Sequence, residues 1–268
     1  MAGRAEGTPP VLGILMIDGL TTSLPGSIAN SSSHGVRTEF FMVPGATVER
    51  VLGGDEALTP RLVSAAQALV QRGVSGITSN CGFLGLYQLA VAAAATVPVF
   101  LSSLLLVPLV AATLPSNRRV GILTYDAQLL SRRQFEGCGW SPERVSIAVD
   151  GVRDFSSWKV LSMQDGEIEP MQMQQDLVNA GQRLLASAPD VGAVVLECAA
   201  MCPFTRELQS QLGVPVFDVN CLIALYLRSF RIPGYPDTTL GPNDSRIRVA
   251  RVRTTQTPKD SLVIAPPQ

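Results

Sequence analysis

The sequence predicts an α/β protein made of two similar halves, each with a small parallel sheet flanked by helices. Three observations support this fold class. Short apolar runs typical of buried strands alternate with longer segments typical of helices along the chain. Several of the apolar runs are continuous, as expected for parallel strands that are covered on both faces. The two halves also repeat each other in pattern and spacing, which indicates an internal duplication.

The first half begins with a strand, and each of its elements has a local signal. Val11–Asp18 (VLGILMID) is an apolar run ending in a polar residue, and it predicts the first buried strand. Residues 38–43 (TEFFMV) predict the second strand. A helix at 59–72 begins on a Thr-Pro pair and ends before a glycine. The remaining elements are strands at 76–78 and 97–101 and a helix at 84–94.

The second half repeats this order. Residues 120–124 and 145–149 predict strands, the latter by its β-branched alternation. Asp126 is expected to cap a helix that begins at Ala127. Residues 169–188 predict a long helix. The last elements are a buried strand at 191–197 (VGAVVLE), a helix at 203–212 and a strand at 214–218.

The composition is that of a globular protein with reduced cysteines. The chain has 268 residues, of which 46% are hydrophobic, so it can bury a large core. Its 21 basic and 22 acidic residues give a net charge of −1, and without a basic field no nucleic-acid partner is expected. The five cysteines have no spacing typical of a small disulfide framework. The N-terminal residues also lack the apolar stretch of a signal peptide, so we expect a cytoplasmic protein.

Residues 91–114 form an apolar segment long enough to suggest a membrane span. Pro98 and Pro108 interrupt this segment, and no basic cluster flanks it. We therefore expect no association with a membrane. The segment is better explained as a buried strand followed by a core helix.

A cysteine occupies the same position in each half. Cys81 lies 17 residues before Pro98 in a VPVF string, and Cys198 lies 17 residues before Pro215 in a second VPVF string. Each cysteine directly follows an apolar strand, and open α/β sheets bind ligands at the carboxyl ends of their strands. The strings GILMID and GILTYD likewise open the two halves. A pseudo-twofold relation between the halves would place both thiols in one cleft, on opposite sides.

Two facing thiols can remove a proton from a carbon and return it on the other face. Cysteine suits both roles, because its ordinary pKa of about 8.5 leaves thiol and thiolate accessible near neutrality. Backbone N–H groups after each cysteine could stabilise an enolate-like intermediate without a metal or pyridoxal cofactor. The residues expected to offer these amides are Gly82, Phe83, Ala199 and Ala200. The sequence therefore predicts a racemase or epimerase without cofactors, in which Cys81 and Cys198 are catalytic.

The cysteine motifs resemble the aspartate/glutamate racemase superfamily. The strings are ITSNCGFLGLYQ with VPVFLSSLLLVPL, LECAAMCPF with GVPVFDV, and PGSIAN with VPGATVERV, and the match spans residues 11–231. The resemblance implies two α/β subdomains with the active site between them, and a homodimer or higher homo-oligomer. It places the first subdomain at 1–101 plus 219–231 and the second at 102–218. Residues 232–268, rich in Pro, Thr and Arg, are expected to be an extended or disordered tail.

The second motif departs from the form common in this superfamily. Ala199 and Ala200 stand where a Thr-Asn pair usually follows the cysteine, and Cys202 replaces a proline. Cys202 is either a packing residue at a helix start or a thiol that supports the site. Loss of the polar pair favours a ligand less polar than aspartate or glutamate, still a small carboxylate or cyclic amide. Cys81 argues against the decarboxylase branch, which keeps only the second cysteine.

Two alternatives to a racemase stay open at this point. One is an isomerase or lyase of the same superfamily in which a cysteine bonds covalently to the substrate. The other is a ligand-binding protein without catalytic activity on the same fold.

The other candidate residues adjoin the cysteines or neighbouring strand ends. Glu197 would disfavour the thiolate of Cys198 and suit it to the role of acid. Cys138 and Cys221 are expected to be core residues, and His34, the only histidine, is expected to lie exposed in a loop. With one histidine and no cysteine cluster, no metal site is expected. Further candidate substrate-binding residues are Asp18, Asn30, Asn80, Ser102 and Ser103, with Thr78 and Ser79 as additional hydroxyl donors.

Overall fold

Two parallel β-sheets organise the part of the chain that the computed structural model describes, which comprises residues 9–18, 24–163 and 167–230. Within these residues the first sheet has three strands and the second has four, and neighbouring strands are parallel throughout. Helices separate most successive strands along the chain. The predicted α/β class with two small parallel sheets is therefore confirmed.

The first sheet is formed by the first half of the chain. Its strands are β1 (Val11–Asp18), β2 (Arg37–Thr47) and β3 (Gly76–Ser79), with β1 in the centre. The α-helices of this half are α1 (Val48–Leu52), α2 (Thr59–Gln71), α3 (Gln88–Ala94) and α4 (Val107–Thr113). Short 3₁₀ helices lie at Ser31–Ser33, Glu56–Leu58, Gly82–Tyr87 and Ser103–Leu106.

The second sheet follows in the chain. Its strands are β4 (Arg119–Thr124), β5 (Ile147–Gly151), β6 (Val191–Leu196) and β7 (Val216–Phe217), in the order β5-β4-β6-β7. The α-helices of this half are α5 (Arg132–Gly137), α6 (Ser156–Lys159), α7 (Pro170–Ser187), α8 (Thr205–Leu212) and α9 (Val219–Ser229). Short 3₁₀ helices lie at Val160–Ser162 and Ala199–Phe204.

Helix α2 illustrates how the helices cover the first sheet. Its buried residues recur at the helical spacing i, i+3, i+4 and i+7, which places them on one face. They are Leu62, Ala65, Ala66 and Leu69. Full burial of each leucine contributes about 1.5–3 kcal/mol to stability. The helix starts at Thr59 with Pro60 in its first turn, as the Thr-Pro pair predicts, and contacts both β1 and β2.

The strand registers bring the two cysteine motifs to the carboxyl edges of the sheets. In the first sheet Leu15 of β1 pairs with Ser79, the last residue of β3. In the second sheet Leu123 of β4 pairs with Leu196, the last residue of β6. Cys81 and Cys198 each lie two residues beyond these paired ends. The prediction that each cysteine lies just beyond the carboxyl end of a strand is thus confirmed.

The prediction of a helix that begins at Ala127 was wrong. Helix α5 begins five residues later, after Ser131, whose side chain and that of Gln134 form a reciprocal cap at the helix start. Such a capping box is a strong start signal. Asp126 instead accepts a hydrogen bond of 2.9 Å from the backbone N–H of Gln128 and so stabilises a turn.

Two other elements differ from prediction. The strand predicted at 97–101 is reduced to one bridge, in which Val99 pairs with Ile77. The helix predicted at 84–94 is divided into the 3₁₀ helix Gly82–Tyr87 and α3. Pro98 lacks an N–H to continue the strand, which explains the first difference.

Of the helices in the described part of the chain, none is both long and apolar enough to cross a membrane. The described residues all belong to one compact unit. The subdomain boundaries stay a prediction, and the predicted tail lies outside the described residues.

Candidate active site

A cavity opens at the carboxyl edges of both sheets, and Cys81 and Cys198 both line it. Its volume is about 70 Å³. One water needs about 10–15 Å³ of such space, so the cavity has room for a small substrate. Most of its wall is apolar, and the larger apolar side chains are Ile17, Ile28, Val48, Leu52, Phe83 and Leu161.

Cys81 is held between β3 and the 3₁₀ helix Gly82–Tyr87. Its backbone is extended, and the Ser79 hydroxyl donates a 2.9 Å hydrogen bond to its carbonyl oxygen. Asn80 fixes the same loop to β1, because its Oδ1 accepts a 2.9 Å hydrogen bond from the Ile17 N–H. The backbone N–H groups of Phe83 and Leu84 favour the Cys81 thiolate, and the Leu84 N–H also donates a 3.1 Å hydrogen bond to the Cys81 carbonyl oxygen.

Cys198 has the equivalent setting after β6, at the start of the 3₁₀ helix Ala199–Phe204. The backbone N–H groups of Ala200 and Met201 favour its thiolate. In both halves these amides belong to the residues two and three positions after the cysteine. The prediction that the amides of Gly82, Phe83, Ala199 and Ala200 stabilise a reaction intermediate concerns the substrate and stays a prediction.

Glu197 supplies a buried carboxyl group between the two motifs. Its side chain is 1% exposed, and its Oε2 accepts a 2.7 Å hydrogen bond from the Thr124 hydroxyl. Within the described residues its Oε1 has no hydrogen-bond partner. Burial raises the pKa of Glu197 to about 7, although the Thr124 hydroxyl and the Tyr125 N–H act in the opposite direction. Gly82 packs directly against this carboxyl group.

Burial and the Glu197 charge both favour the protonated thiols. Burial is the main cause that raises the pKa of Cys81 to about 12, and the negative charge of Glu197 adds to it. The same two causes raise the pKa of Cys198 well above its ordinary value, with a further contribution from Cys81. A change in the charge of Glu197 would therefore alter both thiols at once.

Six of the other predicted site residues line this cavity. They are Asn80, Gly82, Phe83, Glu197, Ala199 and Ala200. Asp18, Asn30, Ser102 and Ser103 are not among the described residues that line it. Asp18 is exposed at the end of β1, and the Asn30 side chain accepts the backbone N–H of Ser32.

The predicted serine and threonine donors are engaged within the protein. Ser103 donates a 2.6 Å hydrogen bond to the carbonyl oxygen of Leu196, and Ser102 accepts the backbone N–H of Leu104. The hydroxyls of Thr78 and Ser79 donate to backbone carbonyls of residues 100 and 101. These four side chains support the loops around the cavity.

Several cavity residues were not found from the sequence. Tyr125 directly follows β4, and the rule that ligand sites lie at the carboxyl ends of strands could have indicated it. Val48 and Leu52 come from α1, and Leu161 from a 3₁₀ helix, neither of which was predicted. Ser27 and Ile28 are an exception, because they belong to the PGSIAN loop after β1, which resembles a loop that borders the pocket in the superfamily.

Two expectations for single residues were wrong. His34 is buried, and its Nε2 lies 3.0 Å from the carbonyl oxygen of Ile28, because the loop folds back over the cavity wall. Cys221 is exposed on α9, where the buried positions are Val219, Leu222 and Ile223. Cys138 is buried, as predicted.

Among the described residues, no group of three or more His, Cys, Asp or Glu side chains is arranged to hold a metal ion.

Solved structures with the same fold come from the aspartate/glutamate racemase superfamily. A glycine-to-cysteine variant of arylmalonate decarboxylase, in a sulfate-associated form, has a TM-score of 0.56 and 18% identity, covering 84% of this chain and 95% of that one. Allantoin racemase from Pseudomonas fluorescens has a TM-score of 0.53 and 16% identity, covering 82% and 91%. A glutamate racemase from Bacillus anthracis has a TM-score of 0.51 and 12% identity, covering 82% and 80%. The chain has the fold of this superfamily, as its cysteine motifs predict.

Curated relatives by sequence are dimethylsulfoniopropionate lyases. One from Durusdinium sp. clade D is 24% identical over 230 residues, covering 82% of this chain and 74% of that protein. Lyase 3 from Emiliania huxleyi is 24% identical over 222 residues, covering 79% and 58%, and lyase 5 from the same organism is 27% identical over 230 residues, covering 80% and 44%. The chain thus spans less than two thirds of the length of these two relatives. No family model matches the sequence.

Proposed function

We propose that this protein is a lyase without cofactors, which removes a proton from the carbon next to a carboxylate and expels a leaving group from the neighbouring carbon. The observation that carries this proposal is the pair of thiols, Cys81 and Cys198, in the wall of one small cavity. Elimination is favoured by the relatives, which are named for the cleavage of dimethylsulfoniopropionate.

In the proposed reaction, one thiolate takes the proton from the carbon next to the carboxylate. The electron pair of that C–H bond forms the new C=C bond, and the bond to the leaving group breaks with its electrons. From dimethylsulfoniopropionate the products would be acrylate and dimethyl sulfide, and the thiol would then release its proton to water. The substrate carboxylate becomes more negative during proton removal, and we expect backbone N–H groups of the loops after the two cysteines to stabilise it.

We assign the role of base to Cys81 and the role of hydrogen-bond donor to Cys198. Cys198 adjoins Glu197, and burial, the Glu197 charge and Cys81 all disfavour its thiolate. Cys198 therefore suits a group that keeps its proton and donates a hydrogen bond to the substrate.

A racemase or epimerase is the second candidate. Equivalent amide pairs at the two thiols favour it, since proton removal from one face and return on the other needs similar groups on both sides. The two candidates share proton removal as the first step and differ in the second step, which is expulsion of a leaving group or return of a proton.

The test is proton NMR of the purified protein in deuterated water. Dimethylsulfoniopropionate and other propionates with a leaving group on carbon 3 are one panel, and amino acids, hydantoins and aryl-substituted acetates are the other. We expect acrylate to form from the first panel, at rates reduced about 100- to 10,000-fold by Cys81→Ser and by Cys198→Ser. Cys138→Ala, outside the cavity, is the matched control and should retain activity.

Each result separates the candidates. Deuterium incorporation in the second panel without acrylate from the first would replace the lyase by the racemase. No reaction in either panel, or full activity in both serine variants, would overturn both.

A further inference from the structure

The described wall of the cavity contains an acidic side chain but no basic one. Glu197 is an acidic residue in its wall, and the described residues that line it include no lysine, arginine or histidine. The short segments 19–23 and 164–166, outside the described residues, also contain none of these three residue types in their sequence. Among the described residues, the cavity wall therefore offers one acidic side chain and no basic one.

Nearby cationic side chains are already paired with other carboxylates. Arg50 lies on α1, which contributes Val48 and Leu52 to the cavity, and it binds Asp55 at 2.7 Å. Arg153 binds Asp126, the residue after Tyr125. Neither arginine is positioned to neutralise Glu197.

Within the described residues, only one of the two oxygen atoms of the Glu197 carboxyl group has a hydrogen-bond partner. Its Oε2 has the Thr124 hydroxyl, whereas its buried Oε1 has no hydrogen-bond partner within the described residues. An ionised carboxylate without a partner in an apolar site is costly, and a positive charge nearby would offset that cost. Oε1 lies against Gly82 and is itself buried, so a positive group in the cavity would stabilise this carboxylate through its electric field and not by direct contact.

We propose that Glu197 selects substrates that carry a positively charged group close to their carboxylate, and that it disfavours dicarboxylates. This proposal rests on the proposed function, since it names the substrate class of that same cavity. The apolar walls around Ile17, Ile28 and Phe83 favour an alkylated cation, such as a sulfonium or a quaternary ammonium group, over a strongly hydrated primary amine.

Such a cation would also favour proton removal. The negative charge of Glu197 raises the pKa of both thiols. A positive group beside Glu197 offsets that charge, and the thiolate of Cys81 then forms more readily. Recognition of the substrate and activation of the base would both follow from the electrostatic interaction of its positive group with Glu197.

Two thiol reagents of opposite charge test the effect of the Glu197 charge on Cys81 without any turnover of substrate. The reagents are 2-(trimethylammonio)ethyl and 2-sulfonatoethyl methanethiosulfonate. In each case the thiolate attacks the reagent sulfur, a mixed disulfide forms and methanesulfinate leaves. Peptide mass spectrometry gives the rate at Cys81, and the exposed Cys221 serves as the internal reference.

The measured quantity is the rate of labelling of Cys81 by the cationic reagent divided by its rate with the anionic reagent, each normalised to Cys221. We expect this ratio to be at least about tenfold higher in the native protein than in Glu197→Gln. A difference of this size is expected for a unit charge at close range in a low-dielectric site. The neutral reagent methyl methanethiosulfonate reports the general change in thiol reactivity, so the ratio isolates the charge effect. An equal ratio in the two proteins would overturn the proposal.

A second measurement uses only the native protein, in case Glu197→Gln does not fold. Protection of Cys81 from the neutral reagent is compared for 3-(trimethylammonio)propionate and for succinate. We expect the zwitterion to protect at a concentration at least about tenfold lower, a difference that corresponds to about 1.4 kcal/mol. Equal protection, or none by the zwitterion, would overturn the proposal. Because neither experiment measures turnover, charge selection can fail while elimination stands, and the reverse also holds.

Discussion

Gly82 lies directly against Glu197, so that a Cβ atom on Gly82 would be 2.0 Å from the Glu197 carbonyl oxygen and 2.3 Å from its Oε1. The loop that follows Cys81 and the end of strand β6 are therefore in contact at a position that has room only for glycine. Because Cys81 precedes Gly82 and Cys198 follows Glu197, this contact holds the two cysteine motifs against each other.

Gly82→Ala is expected to destabilise the protein and to impair activity. The new methyl group must displace backbone of one motif, which costs about 1–3 kcal/mol for overpacking. The shift also moves Cys81, so kcat/KM should fall by more than about tenfold, by analogy with other small displacements of catalytic groups. Urea unfolding and the acrylate assay measure the two effects.

Gly192→Ala is the matched control for that substitution. Its Cβ would contact side chains of Arg118 and Leu114 at 3.1 Å, and these can move. If both variants lose activity to the same extent, the contact between Gly82 and Glu197 does not position the thiols.

Replacement of Glu197 by glutamine should increase stability above neutral pH. The folded protein raises the pKa of Glu197 from an ordinary 4.5 to about 7, so the folded state binds more protons than the unfolded state between these values. Stability contributed by the protonated group is complete below pH 4.5 and is lost as the pH rises through 7. Above pH 7 the Gln variant should be more stable than the native protein by up to about 3 kcal/mol. Urea unfolding of both proteins from pH 4.5 to 8 measures this difference, and a difference that does not grow with pH would contradict it.

Thr124→Val should raise the pKa of Glu197 further. The Thr124 hydroxyl donates to Oε2 at 2.7 Å, and this hydrogen bond favours the ionised carboxylate. Without it, the loss of stability at high pH should increase by about 1–3 kcal/mol. In the Glu197→Gln background the same substitution should have a smaller and pH-independent effect. An effect of equal size in both backgrounds would show that Thr124 acts through packing alone.

Asn80→Ala should loosen the loop that holds Cys81. Its Oδ1 accepts the Ile17 N–H, and without that acceptor the amide is left unsatisfied at a cost of about 1–3 kcal/mol. Asn80→Asp keeps an acceptor, so we expect it to restore most of the stability in urea unfolding. A smaller loss for Ala than for Asp would contradict the assignment of Asn80 to this role.

The parts of this molecule that sequence predicted best depend on short, local patterns. The strands β1, β4 and β6 follow from continuous apolar runs, and the positions of Cys81 and Cys198 follow from these strands and the rule that sites lie at strand ends. The duplication adds the relation between the two cysteines, which no single motif contains.

The features that could not be predicted depend on contacts between distant segments. Val48, Leu52 and Leu161 reach the cavity from elements too short to have a periodic signal. Oε1 of Glu197 has no hydrogen-bond partner within the described part of the chain, and this depends on where groups distant in sequence come to lie. The subdomain boundaries, the oligomeric state, the cytoplasmic location and the roles of the site residues stay predictions.

The two cysteines receive their stabilising N–H groups from main chain at matching positions, and this has a consequence for how such a site can change over time. Main-chain donors survive almost any replacement of the side chains around them. The side chains that line the cavity, such as Glu197, can vary without changing these main-chain groups. Under the proposed function, a lineage built on this frame could therefore exchange one small acid for another, and one fate of the carbanion for another, while its proton-transfer step is inherited unaltered.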